Sequence, residues 1–233
     1  EETLTKELEL LQLRYEELMR KAKIAAGKTL LYREPPHYIT LGKELPAKAL
    51  DEILTDHAEV FTELKEYYKQ TSESDTTKIS FYEDTYSLYN LYRFAHYYEE
   101  AYGKYIWLKS GASLVIEHTE AMTVIDVNTG SVLKKKKQED TLFYQINREA
   151  AKEIARQLRL RNISGIIMID FINMKDTAQK EKLLSLLDSE CKKDRVHCNV
   201  IDMTALNLVE MTRSKVRKPL HEQIRSCMKN NRS

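Results

Sequence analysis

The chain has 233 residues, enough for one large or two modest domains with a sizeable core. Charged residues make up 31% of it, but 37 basic and 36 acidic side chains leave a formal net charge of +1, so any nucleic-acid footprint has to be local. No apolar run approaches the roughly 20 residues of a transmembrane helix, no charged-then-apolar start resembles a signal peptide, and three cysteines without a C-x-x-C pair give neither a disulfide framework nor a complete zinc site; a soluble chain in a reducing cytoplasm is expected.

Leu4, Leu8, Leu11, Tyr15, Leu18, Ala22 and Ala25 recur at spacings of three and four, with Gly27 as a stop, so the chain opens on a long amphipathic helix. About three heptads is the lower limit for a coiled-coil seam, so this face is expected to pack on its own domain. Residues 29–100 alternate short strands and helices: LLYRE, a Pro-Pro break, ALDEILT, then a helix opened by Asp56 with Glu59 as a capping box and Val60, Phe61, Leu64 and Tyr68 as its buried face. TSESDTT (Thr71 to Thr77) reads as an exposed loop. After KISFY comes a tyrosine-rich helix from Tyr86 to Tyr98, expected to bury Leu88, Leu91, Tyr92 and Ala95. Its tyrosines could stack on bases, although a tyrosine stripe at helical spacing is more often core and rim.

From Lys104 the pattern turns to strands, with KYIWLKSG, SLVIEHTE and AMTVIDV separated by turns. Lys134 to Lys137 form a basic loop, and Glu139 or Asp140 opens a long helix whose apolar row is Leu142, Ile146, Ala150, Ile154 and Leu158. Arg148, Lys152, Arg156 and Arg159 line its other face, a stripe that suits phosphates as well as plain solvation. A strand ending at Asp170 follows, then a helix from about Thr177 to Lys192 with Asp176 and Gln179 as a capping pair, then strands CNVIDMT and LNLVEMT, and finally a basic tail of Arg213, Lys215, Arg217 and Lys218.

Two stretches carry the chemistry. MTVIDVNTG (Met122 to Gly130) is an apolar run that delivers Asp126 and then Asn128 into a Gly-ended loop, and IIMIDFINM (Ile166 to Met174) delivers Asp170 in the same way. A carboxylate ending a buried strand is costly unless it caps a helix, pairs with a cation or binds a metal. Two carboxylates with a nearby amide carbonyl are hard oxygen ligands suited to Mg²⁺ or Mn²⁺, with water and phosphate oxygens filling the remaining positions. On the residues alone, a turn or cap role for either aspartate stays open.

The succession IWLKSGASLVIEHTEAMTVIDVNTG, then QEDTLFYQINREAAKEIARQLRLRNISGIIMIDFINM, then LVEMTRSKVRKPL resembles the catalytic region of the ribonuclease E/G family, from about Tyr105 to Leu220. The resemblance implies a mixed α/β chain: an N-terminal helix plus RNase H-like subdomain over 1–100, a DNase I-like catalytic subdomain over 101–220 and a tail over 221–233. It implies a metal-dependent endoribonuclease that hydrolyses phosphodiester bonds in single-stranded RNA. Asp126 and Asp170 would hold the magnesium, and Asn128 would position the water and scissile phosphate. Arg148, Lys152, Arg156, Arg159, Arg213, Lys215 and Arg217 are candidates for RNA backbone contacts on charge pattern alone.

There are departures from the family pattern. Members normally carry an S1 domain and a sensor of the RNA 5′ monophosphate, and this chain opens on the helix that would follow the sensor, which suggests a shortened or naturally short relative. The zinc-binding C-P-x-C sequence that links protomers in the family is incomplete here, since Cys227 is followed by Met228, Lys229 and Asn230. Zinc is therefore not expected, and a homo-oligomer is expected only of the full-length protein. Asn173 stands where an acidic residue is more usual, at a position that does not bind the metal in the family. The rival expectation is an RNA-binding or scaffolding fragment without turnover.

Overall fold

The computed structural model describes residues 2–33, 35–44, 50–70, 78–130 and 139–230, which fall into two compact units, residues 1–92 and 93–233. Among the described residues no helix is long and apolar enough to cross a membrane.

In the first unit, helix α1 (Glu2–Ile24) has the limits that the pattern predicts. Its apolar row does not pack as expected: Leu8, Leu11 and Tyr15 are 65%, 56% and 63% exposed. Local terms such as the Glu17–Lys21 pair, 2.9 Å apart at i,i+4, support the helix instead of burial. Residues 30–33 form no strand, and α2 (His37–Glu44) starts directly after Pro35 and Pro36. The proline pair is a helix start rather than a break, because the first turn has no partner for an N–H that proline lacks. Strand β1 (Glu52–Thr55) pairs in parallel with β2 (Lys78–Phe81), and α3 (Ala58–Gln70) connects them. Leu64 and Tyr68 of α3 are buried with Ile39, and Val60 packs on them, much as the periodicity requires. Thr55 and His57 set the start of α3 in place of the expected Asp56 box: the Thr55 hydroxyl accepts from His57 N–H at 3.2 Å, and the His57 carbonyl accepts from Phe61 N–H at 2.9 Å. The loop expected at 71–77 lies outside the described residues.

The tyrosine-rich segment is not one helix. Arg93 adopts φ +51°, in the left-handed region, and divides α4 (Leu88–Leu91) from α5 (Phe94–Tyr102). Leu91, Tyr92 and Ala95 are consequently exposed rather than buried. The boundary between the units also falls here, so α5 clusters with the second unit and not with the first hundred residues.

The second unit is built on a six-stranded mixed sheet of order β3-β4-β5-β6-β8-β7. Its strands are β3 (Tyr105–Trp107), β4 (Ser113–His118), β5 (Met122–Asn128), β6 (Gly165–Asp170), β7 (Cys198–Met203) and β8 (Leu208–Arg213). Only β5 and β6 run parallel, and α6 (Glu139–Leu160) is the crossover that a parallel pair needs. One face of the sheet (Leu114, Ile116, Ile125, Val127, Ile167, Ile169, Val209, Met211) is buried in a single core with Ile146, Ala150, Ile154 and Leu158 of α6 and Leu183 and Leu187 of α7 (Thr177–Cys191). Asp176 caps α7 by accepting from Ala178 N–H at 2.9 Å; the Gln179 half of the expected pair is not made, and its Oε1 is buried without a hydrogen bond. Where a tail was expected, α8 (Leu220–Asn230) forms, tied to the end of α6 by Leu220 N–H donating to the Arg161 carbonyl at 2.9 Å.

Candidate functional site

Strand alternation decides where the aspartates point. In β5, Thr123, Ile125 and Val127 are buried under the helices, which turns Val124, Asp126 and Asn128 to the opposite face. In β6, Ile167 and Ile169 are buried, which turns Ile166, Met168 and Asp170 to that same face. The register then makes Asp126 and Asp170 direct partners across the parallel pair, on strands about 4.8 Å apart. Two carboxylates separated by 44 positions in sequence therefore stand side by side, and Asn128 Nδ2 donates to Asp126 Oδ2 at 2.7 Å. Burial, and after it the negative charge of Asp126, pushes the Asp170 carboxyl above the usual carboxylate range.

Two side chains of α6 hold the loops that end these strands, and the sequence reading missed both. Asn147, fully buried, donates to the Ile172 carbonyl at 2.7 Å and accepts from Ile172 N–H at 3.0 Å, which pins the chain just past Asp170. Glu149 accepts from the backbone N–H groups of Lys109 and Ser110 at 2.7 and 3.3 Å, ordering the turn before β4. That turn touches the loop past Asn128: a Cβ on Gly130, at φ +55°, would lie 2.6 Å from the Gly111 carbonyl oxygen. A polar Asn147 next to Ile146 on the apolar side of an amphipathic helix was the available signal, because a buried amide needs partners.

The predicted basic residues are not brought to the aspartates. Arg148, Lys152, Arg156 and Arg159 lie on the exposed side of α6, whose other side packs on the sheet face opposite to Asp126 and Asp170. Arg156 is engaged by Glu100 and Glu153, and Arg159 by the Glu190 carbonyl at 3.5 Å. Arg213 is a correction: it is 4% exposed, and its guanidinium is committed to Asp194 at 2.9 Å, Asn162 at 2.9 Å and the Ile163 carbonyl at 3.0 Å. It pairs with Gly165, so it sits five residues, or about 16 Å, along β6 from Asp170, and Lys215, which is paired with Glu222, and Arg217 follow it away from the site. The Lys134 to Lys137 loop lies outside the described residues.

A cavity of about 500 Å³ also belongs to the core side: Lys104, Arg161, His118 and His221 line it, and the two imidazoles stack 3.8 Å apart. Burial, with the nearby His221 and Arg161, pushes His118 down to about 4.

The donor set on the open face is two carboxylates and one amide. Among the described residues no group of three or more His, Cys, Asp or Glu side chains converges. That set fits Mg²⁺ or Mn²⁺, which keep waters and substrate oxygens in several positions, and the mutual repulsion felt by Asp170 is what a cation between the pair would relieve.

The ribonuclease E/G family model matches residues 1–216. Ribonuclease G of Haemophilus influenzae is 34% identical over 220 residues, covering 94% of this chain and 45% of that protein. Ribonuclease G of Escherichia coli strain K12 is 34% identical over 203 residues (87% and 41%), and ribonuclease E of Nostoc sp. is 31% identical over 225 residues (95% and 33%). The chain spans less than half the length of these relatives. It belongs to the ribonuclease E/G family.

Proposed function

We propose that this chain carries the catalytic core of a divalent-metal-dependent endoribonuclease that hydrolyses phosphodiester bonds in single-stranded RNA. The observation that carries the reading is the register pairing of Asp126 with Asp170, on one face and at adjacent strand ends, with Asn128 bonded to Asp126. Family membership adds the nuclease class, since the relatives are named ribonuclease G and ribonuclease E.

In this reading Asp126 and Asp170 hold Mg²⁺ or Mn²⁺, which when bound activates a water and steadies a phosphoryl oxygen. Asn128 fixes the Asp126 carboxylate through Nδ2 and keeps its own carbonyl oxygen as an acceptor. Asn147 and Glu149 are positioning residues: they hold the loops beyond Asp170 and before β4 so that the strand ends keep their register.

The test is cleavage of an end-labelled single-stranded RNA by the purified chain with Mg²⁺ or EDTA, against Asp126→Asn and Asp170→Asn. Cleavage that needs the metal, falls away in both variants and spares a duplex of the same sequence is the expected result. Equal cleavage by wild type and both variants would refute the assignment and identify a contaminating nuclease.

A further inference from the structure

On the proposal that Asp126 and Asp170 form an RNA-cleaving site, we infer a second element on the same sheet face: Trp107 and Tyr105 form a stacking platform for unpaired nucleobases beside the scissile phosphate. The register carries this. Tyr105 pairs with Val115, Val115 with Asp126 and Asp126 with Asp170, so these four form one row across β3, β4, β5 and β6. Trp107 pairs with Ser113 and Ser113 with Asn128, which makes the adjacent row two residues along. Residues opposed in a row share a face, so both rings stand on the side of the aspartates while Ile106 between them is buried in the core.

Each ring is two strands from the site, about 10 Å from Asp126 or Asn128, within reach of a nucleotide or two flanking a phosphate held there. Between rings and carboxylates, β4 presents the short side chains of half-buried Val115 and buried Ser113. Trp107 is 73% exposed and Tyr105 60% exposed, an uncommon state for large aromatic rings on a strand. The Lys104 ammonium stands 5.7 Å from the centre of the Tyr105 ring and pairs with Glu117.

Exposed aromatic faces are one of the means by which sequence-tolerant binders grip single strands, because every base has a π-face. A duplex keeps its bases stacked on each other and offers none to these rings. The platform thus gives the site a physical basis for preferring unpaired RNA.

Trp107 is the sole tryptophan of the chain, so its emission reports on this site alone. The experiment is titration of wild type with EDTA, and of Asp126→Asn, with fluorophore-labelled oligoadenylate and with a duplex RNA of equal charge, reading tryptophan emission and RNA anisotropy together. The single strand is expected to quench Trp107 saturably and the duplex to leave it bright. Trp107→Ala should weaken single-strand binding about tenfold, within the roughly 5- to 150-fold range of one base stack. Trp107→Phe should restore most of the loss, and the salt dependence should be unchanged in both, since stacking releases no counterions.

Anisotropy that saturates with unquenched emission, quenching equal for both RNAs, full affinity in Trp107→Ala, or no measurable binding of the single strand would each overturn the inference. A change of sedimentation in Trp107→Ala with RNA affinity intact would overturn it by assigning the face to a second copy of the chain. Quenching without metal-dependent cleavage would remove the nuclease reading and leave the platform standing, and metal-dependent cleavage without quenching would do the reverse.

Discussion

Replacing Asp170 by Asn should stabilise the metal-free protein and abolish its response to magnesium. Asp170 and Asp126 face each other on adjacent strands, and burial, with the charge of Asp126 after it, already raises the Asp170 carboxyl. Two unit charges about 5 Å apart repel by about 1–2 kcal/mol at an effective dielectric between that of water and half of it, the range for groups still in contact with solvent. Asp170→Asn removes that repulsion at nearly constant volume and breaks no side-chain hydrogen bond among the described residues, whereas Asp126→Asn weakens a bond from Asn128 at 2.7 Å. Asp170→Asn should therefore melt about 2–5 °C above wild type in EDTA, and Asp126→Asn should gain less. Above its dissociation constant, each tenfold rise in Mg²⁺ should add about 1.4 kcal/mol to wild type and nothing to either variant. The pH dependence has a fixed sign. A carboxyl raised in the fold binds more protons there than in the unfolded chain, so wild-type stability in EDTA should fall as pH rises from the usual carboxylate value through the raised one, and Asp170→Asn should lack that fall. Thermal melts in EDTA and in graded Mg²⁺ read all of this. An Asp170→Asn protein that melts below wild type in EDTA, or keeps the full magnesium shift, would refute the shared site.

Asn147→Ala should cost about 2–3 kcal/mol in urea unfolding, because it leaves the Ile172 N–H and carbonyl without their buried partner, and it should lower cleavage by loosening the strand end at Asp170. Gly130→Ala should cut cleavage more than stability, since its Cβ would displace the Gly111 turn beside the Asn128 loop; unchanged rates would show that the close approach does not matter. Arg213→Ala should cost about 3 kcal/mol or more by leaving Asp194 buried and unpaired, while the slope of RNA affinity against salt stays that of wild type, which separates a structural arginine from a phosphate contact. His118, held at about 4 in the fold, should make the protein lose stability as pH falls from about 6.5 towards 4, by about 1 kcal/mol after solvent screening, and His118→Gln should lose less over that window.

The aspartates and the strands that carry them were legible because a short β-branched run with a terminal carboxylate is a local pattern, and the six strands from Tyr105 onward lie where the alternation places them. That Asp126 and Asp170 come together was expected only on the family resemblance; the register that pairs them was not legible in the local pattern, since it depends on which strands become neighbours. The position of the basic candidates relative to the aspartates was not legible for a related reason. Charge pattern along a helix identifies the solvent side of α6 but not the side of the sheet on which α6 lies, and Arg213 reads as part of a basic run although β8 alternation turns it into the core between Met211 and Asp194. The tyrosine-rich helix was misread because nothing in its composition marks Arg93 as left-handed, and the single-turn α4 stands on a local cap from Ser87.

Helix α6 does three things that make one site. As a crossover it lets β5 and β6 run parallel, and only a parallel pair can bring the last residues of both strands to the same end of the sheet; an antiparallel pairing of the same two strands would put Asp170 beside Met122, about 13 Å from Asp126. Its apolar row buries the core face of both strands, which fixes their alternation and thereby sends both carboxylates outward. Buried Asn147 and half-buried Glu149 of α6 then hold the loops that leave and approach those strand ends. Placing like charges together is unfavourable, so the arrangement has to be imposed by packing elsewhere, and on the function proposed above the order that α6 imposes on the pair would let a cation bind without first having to assemble its ligands.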